Sequence, residues 1–283
     1  MSASPLRVSG DFLSGSGRAS ALVVWESSNV VPQFTVLHIP PALEENNKSR
    51  RTVALQARAL ARLGGRVGLL DPTGTGDSAA DHGNATWDRW RDDAVAAWRW
   101  LQPPGEVPRI IWGTRLGALL AAELAADRRI SPSAMVLWQP VVSRAVFFKQ
   151  FLRLLVGQMI TGSPTRSKSS SMPTASLAAT AFIEAAGYRL HPDLIGDGSE
   201  RQLDDLRIEG CPIIWREVTA AEPELSPVTT RVVAAWRAKG VNVDAIALTG
   251  PSFWAAQEIE EGTALVDSTT VAVANCLSRL RGP

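Results

Sequence analysis

The residues that could do chemistry in this chain gather at a tight turn between a short apolar run and a helix. The run Ile-Ile-Trp at 110–112 leads into Gly-Thr-Arg-Leu-Gly at 113–117, and strong helix formers follow to residue 126. A strand, a glycine-flanked turn and a helix are the context of the nucleophile elbow, G-x-S-x-G. The glycines are needed because the central residue is strained and a neighbouring Cβ would clash. Here the central residue is Arg115.

Arg115 removes the attacking atom that such a turn normally presents. Acyl transfer needs a nucleophile, a base, a group that orients the base, and donors for the oxyanion. A guanidinium stays protonated at any working pH and cannot attack a carbonyl. Thr114 stands one residue earlier, so we expect its hydroxyl to point away from the pocket. The sequence therefore predicts a turn of this type without its usual nucleophile.

A histidine base is also missing from the place where one is expected. That place follows the last strand, at residues 249–254, and no histidine occurs after His191. His38 ends a central strand, and we interpret it as a buried, hydrogen-bonded side chain. His82 and His191 are predicted to lie in loops and to face water. Three scattered histidines give no metal-ligand spacing, so we predict neither a metal site nor another cofactor.

The orienting acid and the oxyanion donors are the remaining parts of such a site. Glu222 and Glu224 follow the strand predicted at 212–217 and occupy the acid position. Without a histidine partner, we expect them to be solvated loop carboxylates. The oxyanion donors would be the backbone N–H groups of Ala42 and Leu116, because the two prolines before Ala42 have no N–H.

Two fates are open to the Arg115 side chain. At the start of a helix, a guanidinium and free backbone N–H groups form a plausible site for a carboxylate or a phosphate. The other fate is an internal ion pair with Glu44 or Glu45, which lie on the facing loop. An unpaired buried guanidinium is costly, so some partner is required. We favour an internal carboxylate, although such a pair could open to admit a ligand.

Short apolar strands alternate with helices along most of the chain. Strands are predicted at 21–26, 34–39, 66–71, 107–112, 134–139, 212–217 and 242–248. Besides the helix after the turn, helices are predicted at 48–63, 87–101, 146–160, 174–186, 230–239 and 265–280. This alternation predicts an α/β fold with a mostly parallel, doubly wound sheet.

In such a sheet, a ligand binds beyond the carboxyl ends of the strands. The loops at that edge would bring together one set of pocket residues: Arg115, Glu44, Glu45, Asp71 and Trp254. Residues 143–208 interrupt the alternation and are predicted to form a helical lid between two parts of one core, 1–142 and 209–283. Within it, 161–173 is predicted to be a mobile loop.

The first helix of the predicted lid is rich in large apolar side chains. These are Phe147, Phe148, Phe151, Leu152 and Leu155. They would suit an acyl or polyprenyl chain if the pocket binds one. The alternative is that the helix simply packs onto the sheet.

The bulk composition sets broad limits on function. The chain has 283 residues, 45% hydrophobic residues and a net charge of +1, which argues against a nucleic-acid partner. Neither a signal peptide nor a run of about 18 apolar residues is visible, so we expect a cytoplasmic protein without an integral membrane segment. Cys211 and Cys276 have no metal or redox spacing and are interpreted as reduced, buried thiols.

Three features together resemble the α/β-hydrolase superfamily. They are the turn at 113–117, the pattern D-x-x-G-x-G-x-S at 71–78, and the order of turn, lid-like insertion and closing strand–helix units. The resemblance implies an α/β-hydrolase fold with a helical lid insertion.

Further segments are similar to the exosortase A system-associated hydrolase, type 2, family. These segments are 40–51, 74–78, 87–93, 112–121 and 137–143. That family occurs in bacteria that sort proteins to the envelope and make exopolysaccharide. The resemblance implies a hydrolase assignment inherited from the superfamily, without a demonstrated substrate. It also implies that the arginine is a family trait, whereas the type 1 hydrolase of the same system keeps a serine.

Two functions of different classes remain open. The favoured one is a non-catalytic binding or accessory protein whose partner is an anionic or lipid-like small molecule, or the serine-bearing hydrolase of its own system. The alternative is a hydrolase of an ester or an amide. Such an enzyme would need an unconventional nucleophile, such as a water activated by Glu44, Glu45 or Asp71.

Overall fold

A computed structural model describes residues 5–15, 18–28, 30–103, 105–161, 182–185 and 187–280. Its strands are β1 (Leu6–Gly15), β2 (Arg18–Ser27), β3 (Phe34–Ile39), β4 (Gly65–Asp71), β5 (Arg109–Thr114), β6 (Ala134–Trp138), β7 (Ile183–Ala185), β8 (Tyr188–Leu190), β9 (Ile213–Thr219) and β10 (Val243–Thr249). Its α-helices are α1 (Glu44–Arg62), α2 (Trp87–Trp100), α3 (Leu116–Ala126), α4 (Arg144–Thr161), α5 (Pro192–Ile195), α6 (Pro227–Ala238) and α7 (Thr263–Leu280).

Within the described residues, eight strands form one sheet in the order β1-β2-β4-β3-β5-β6-β9-β10. The pairs from β4 through β3, β5, β6 and β9 to β10 are parallel, whereas β1–β2 and β2–β4 are antiparallel. The predicted mostly parallel α/β sheet is confirmed. The alternation did not predict β1, whose residues at 8–12 include exposed positions and a glycine.

Helices cover the sheet on both faces. Successive strand residues point to opposite sides, so each buried strand presents an apolar surface to the helices on each face. On β5, Ile110 and Trp112 belong to the core beneath α1 and α7, and Ile111 belongs to the core beneath α2, α3 and α6. All three side chains are fully buried. Burying each large apolar side chain contributes about 1.5–3 kcal/mol, so this alternation fixes which face each strand residue occupies.

The segment between β6 and β9 differs from the prediction. The helix predicted over 174–186 is wrong at 183–185, which is β7 and pairs antiparallel with β8 across Gly187. Gly187 has φ 81°, a left-handed value that glycine adopts without strain, and it allows the hairpin to turn. The predicted loop at 161–173 lies outside the described residues after Thr161, as do 174–181 and 186 of the predicted helix. The lid boundaries at 143 and 208 stay a prediction.

The first helix of that segment, α4, packs onto the core with part of its apolar surface. Phe147 and Phe148 are buried in the larger hydrophobic cluster, and Phe151 and Leu152 are partly buried against it. The Leu155 side chain is outside the described set. No helix in the described ranges is both long enough and apolar enough to cross a bilayer.

Candidate functional site

The turn between β5 and α3, residues 113–117, has the backbone of a nucleophile elbow, and we call it the elbow. Arg115 has φ 54° and ψ −118°, a conformation that side-chain-bearing residues rarely adopt. A Cβ on Gly113 would lie 2.4 Å from Ala118 Cα, and one on Gly117 would lie 2.3 Å from the carbonyl oxygens of Ile39 and Pro40. Both glycines are therefore required by neighbouring backbone that cannot move aside cheaply.

The Arg115 side chain is satisfied from within the protein. Its Nε and Nη2 donate to the Glu45 carboxylate at 3.2 and 3.0 Å, and its Nη1 donates to the carbonyl of Gln139 at 3.3 Å. The guanidinium carbon lies 5.2 Å from the ring centroid of Trp254. The side chains of Arg115 and Glu45 are each 20% exposed. Of the two fates open to Arg115, the structure shows the internal carboxylate.

Glu45 reaches the elbow from the first turn of α1. The partial positive charge at a helix start favours a carboxylate there. Burial nevertheless raises the pKa of Glu45, and the nearby charges of Arg115 and Lys48 oppose that rise. The carboxylate is thus held close to a cation in surroundings that penalise its charge.

Glu44 and Asp71 do not join this ion pair, and their place in the pocket stays a prediction. Tyr188 Oη of β8 donates to Glu44 Oε1 at 2.7 Å, and burial, followed by the hydrogen bond to Glu44, raises the pKa of Tyr188. Asp71 pairs with Arg50 at 3.2 Å and accepts the Asp77 N–H at 3.1 Å. Glu44 therefore ties the β7–β8 hairpin to α1, and Asp71 orders its own loop.

Thr114 and His38 form a second polar pair directly beside the elbow. Their Oγ1 and Nε2 atoms are 3.0 Å apart, and both residues are buried. The His38 ring lies 4.1 Å from the ring centroid of Trp112. Burial lowers the pKa of His38 to about 3, so the imidazole is neutral at physiological pH. A hydroxyl and an imidazole in contact could perform acyl transfer, but here Thr114 is fully buried, and His38 is 2% exposed and lines a separate cavity of about 220 Å³.

The other two histidines do not supply a base. His82 was predicted to face water but is half-buried, because its Nδ1 bonds the Gly74 carbonyl at 3.0 Å and its ring packs on Tyr188. His191 is also only partly exposed, since its Nδ1 accepts the Asp193 N–H at 3.1 Å at the start of α5. The sequence could not predict these hydrogen bonds to the backbone, because both histidines lie in irregular segments.

The predicted acid candidates are exposed, and a buried acid that the sequence did not single out lies nearby. Glu222 and Glu224 face solvent, and the described hydrogen bonds and ion pairs join neither carboxylate to a histidine. Glu217 is 4% exposed near the end of β9, and its Oε2 accepts the Ser226 N–H at 3.3 Å. Sequence reasoning treated Glu217 as a strand residue. A carboxylate at the last position of the predicted strand was the available signal.

The predicted oxyanion donors flank the elbow. Leu116 begins α3 directly after Arg115, and Ala42 lies in the loop between β3 and α1; both residues are fully buried. The adjacent Leu43 has φ 57°, which turns the chain into α1. The role of these two N–H groups as donors stays a prediction.

Arg115 also lines a cavity of about 360 Å³, which we call the crevice. Gln139, Phe147, Glu217 and Val228 contribute to its walls, so it lies between the elbow, α4 and α6. Across the described ranges, no group of three His, Cys, Asp or Glu side chains is placed to hold a metal ion. Cys211 and Cys276 are free and buried.

Comparisons with known proteins agree with this architecture. The family model described as "Serine aminopeptidase, S33" matches residues 46–186. Among solved structures, Est1E from Butyrivibrio proteoclasticus with bound ferulic acid is 14% identical, with 94% of this chain and 99% of that chain covered and a TM-score of 0.67. Proline iminopeptidase from Mycobacterium smegmatis is 16% identical, with coverages of 95% and 97% and a TM-score of 0.61.

A third similar structure is XC6422 from Xanthomonas campestris, titled a member of the a/b serine hydrolases without a lid. It is 17% identical, with coverages of 98% and 96% and a TM-score of 0.55. No curated protein matches the chain significantly. At these identities, the structural likenesses establish the fold alone.

Proposed function

We propose that this protein of the α/β-hydrolase superfamily is a binding or accessory protein that does not use serine–histidine chemistry. The observation that carries the proposal is the Arg115–Glu45 ion pair at the elbow. A permanently protonated group occupies the nucleophile position, and His38 is the histidine nearest to it in the sheet. His38 already forms a buried hydrogen bond with Thr114. The pair therefore replaces a reactive group with a structural contact.

The ion pair connects four separate parts of the fold at the ligand edge of the sheet. Glu45 lies in the first turn of α1, Gln139 follows β6, and Trp254 follows β10, and each contacts Arg115. Replacing a buried ion pair with apolar residues is often neutral, but removing one partner leaves a buried charge uncompensated. We infer that Arg115 and Glu45 hold these loops in one arrangement around the crevice.

The Arg115–Glu45 ion pair also bears on which chemical class of ligand the crevice would bind. Because Glu45 already neutralises Arg115, an anionic ligand would have to displace a tethered carboxylate. A lipid-like ligand needs no such exchange, since Phe147 and Val228 give part of the crevice wall an apolar surface. The proposal therefore favours a lipid-like small molecule over a purely anionic one. The serine-bearing hydrolase of the same system is the macromolecular partner that we propose.

The proposed setting is the cytoplasm of a bacterium with an exosortase and exopolysaccharide system. Its support is the similarity of segments 40–51 and 112–121 to the type 2 hydrolase family of that system. These segments contain Glu45 and Arg115, so the ion pair and the family resemblance draw on the same residues. Co-purification of the protein with the serine-bearing hydrolase tests this setting.

One observation favours a second candidate, a hydrolase of an ester or an amide. Burial raises the pKa of Glu45, and a carboxylate with a raised pKa is a better general base. If the ion pair opened, Glu45 could take a proton from an attacking water. Glu44 and Asp71 are weaker candidates for this role, because each already has a partner within the protein.

Activity-based labelling and ester turnover separate the two candidates. We expect no labelling by a fluorophosphonate probe and no turnover of p-nitrophenyl esters of several chain lengths above the buffer rate. Labelling that disappears in Thr114→Ala would show that the buried hydroxyl is a nucleophile. Turnover that disappears in Glu45→Gln but survives in Glu44→Gln would establish the hydrolase instead.

A further inference from the structure

Glu217 is the acidic residue in the wall of the crevice, and the described part of the chain places no cation within ion-pair distance of it. The residue is 4% exposed. Its Oε2 accepts one long hydrogen bond, at 3.3 Å, from the N–H of Ser226 at the start of α6. The partial positive charge at the start of α6 lies on the same side as this carboxylate oxygen. Its carboxylate still has accepting capacity that the protein does not use.

The charges around the crevice leave Glu217 without compensation. Two arginines line the cavity, and each has its own carboxylate: Arg115 pairs with Glu45 at 3.0 Å, and Arg231 pairs with Asp204 at 3.3 Å. The two guanidinium charges are therefore offset, and the charge of Glu217 remains. A buried carboxylate favours a cationic partner that can donate hydrogen bonds, because such a bond is stronger than one between neutral groups.

The same cavity exposes apolar surface close to this charge. Val146 on α4 and Val228 on α6 are 52% and 47% exposed, and both line the crevice with the buried Phe147. Large apolar side chains that face an open cavity gain free energy when a ligand covers them. The cavity therefore presents a single carboxylate beside an apolar part of its wall, and the rest of the wall is polar, with Gln139, Gln150 and Gln202.

We propose that the crevice binds an apolar primary amine whose ammonium group is held by the Glu217 carboxylate. Its hydrocarbon part lies against Phe147, Val146 and Val228. The inference rests on the proposed function, because the crevice then binds a ligand without converting it. It narrows the lipid-like ligand to one with a cationic head group, and it gives Glu217 a role distinct from that of Arg115.

The test compares three probes of equal chain length: n-hexylammonium, n-hexanol and n-hexanoate. Binding is measured by calorimetry at neutral pH on the full chain. We expect hexylammonium to bind most tightly, and Glu217→Gln to weaken it by roughly tenfold or more through loss of a charge-assisted contact. The same variant should leave hexanol unchanged. Glu222→Gln is the matched control, because it removes an exposed acid that follows the same strand.

A second variant covers the case in which Glu217→Gln disturbs the fold. Val228→Lys adds a cation at an exposed position of the rim and should weaken hexylammonium while strengthening hexanoate. Equal hexylammonium affinity in the wild type and Glu217→Gln would overturn the inference, as would undetectable hexylammonium binding. Tighter binding of hexanoate, lost in Arg115→Ala, would show that the crevice selects anions. Ester turnover is measured separately, so its detection would overturn the proposed function and leave the amine result standing.

Discussion

Two polar pairs lie side by side at the elbow, and they differ in what they can meet. Thr114 ends β5, and its buried hydroxyl forms a hydrogen bond with the neutral His38. Arg115, the next residue, lines the crevice, and its guanidinium binds Glu45. The first pair has chemically competent groups that are almost completely buried, and the second is more exposed but has no nucleophile. Access and reactivity are therefore divided between two adjacent residues.

Their electrostatics differ in the same way. The His38–Thr114 pair is neutral, because burial lowers the pKa of His38 to about 3. The Arg115–Glu45 pair is ionic and remains 20% exposed on each side chain. A neutral hydrogen bond costs little to bury, whereas a buried ion pair is sensitive to the loss of either partner. Three experiments can break or sharpen this comparison.

The largest effect is expected from removing one half of the ion pair. Arg115→Ala leaves the partly buried Glu45 carboxylate without its cation and should lower the free energy of unfolding by about 2–4 kcal/mol. Combining it with Glu45→Leu should restore much of that loss, because the uncompensated charge is then gone. Urea unfolding of the two single variants and the double variant closes a double-mutant cycle. Additive losses would mean that the two side chains do not interact in solution.

The matched control for this cycle is Glu44→Leu, one residue earlier on α1. Glu44 binds Tyr188 and not Arg115, so its effect should simply add to that of Arg115→Ala. A coupling energy between Glu44 and Arg115 would show that Glu44, and not Glu45, is the partner of Arg115 in solution.

Much of this arrangement could be predicted from the sequence, but the partner of Arg115 could not be fixed. Glu44 and Glu45 stand on the same predicted loop, so either could reach the elbow. The structure begins α1 at Glu44. Successive helical residues point about 100° apart, so the two carboxylates face different neighbours. The helix was predicted to begin at residue 48, and without the earlier start this difference in direction was not available.

The strands also differ in how well the sequence predicts them. The apolar runs of β3 and β5 were predictable because both strands are buried on both faces. The edge strand β1 was not, since it pairs with β2 on one side and carries the exposed residues Val8 and Phe12. The carboxylate of Glu217 depends on where α6 and the elbow meet, which no local pattern encodes.

An intermediate effect is expected from acid. His38 has its pKa lowered from 6.5 to about 3, so the unfolded chain binds a proton that the folded chain does not. The contribution of His38 to stability is therefore complete above about pH 6.5 and falls toward pH 3, by at most about 1.4 kcal/mol per pH unit. Urea unfolding of the wild type and His38→Gln between pH 7 and pH 5 measures this difference. A parallel decline in both proteins would show that His38 is not buried as a neutral group.

The pKa shift of Glu45 has the opposite sign and supplies the contrast. Its pKa is raised in the folded protein, so the associated stability is present below its unfolded value of 4.5 and is lost as pH rises through the folded value. Glu45→Gln should remove that dependence while leaving the His38 decline intact. A shallower decline between pH 7 and pH 5 in Glu45→Gln would contradict the raised pKa of Glu45, because removing such a group can only steepen the decline.

The smallest effect is expected from restoring the missing hydroxyl. Arg115→Ser places a serine at the elbow, but His38 keeps its hydrogen bond to Thr114. The described contacts of His82 and His191 do not reach the elbow. Arg115→Ser combined with Glu45→Gln avoids leaving a buried charge and is the fairer test. We expect p-nitrophenyl ester turnover within about tenfold of that of Arg115→Ala, because a serine without a base is a weak nucleophile. A kcat/KM above about 10⁴ M⁻¹s⁻¹, within the ordinary range of enzymes, would require a base that reaches residue 115. If Thr114→Val then abolished that activity, the buried pair would have moved into the crevice, and the division between access and reactivity would not hold.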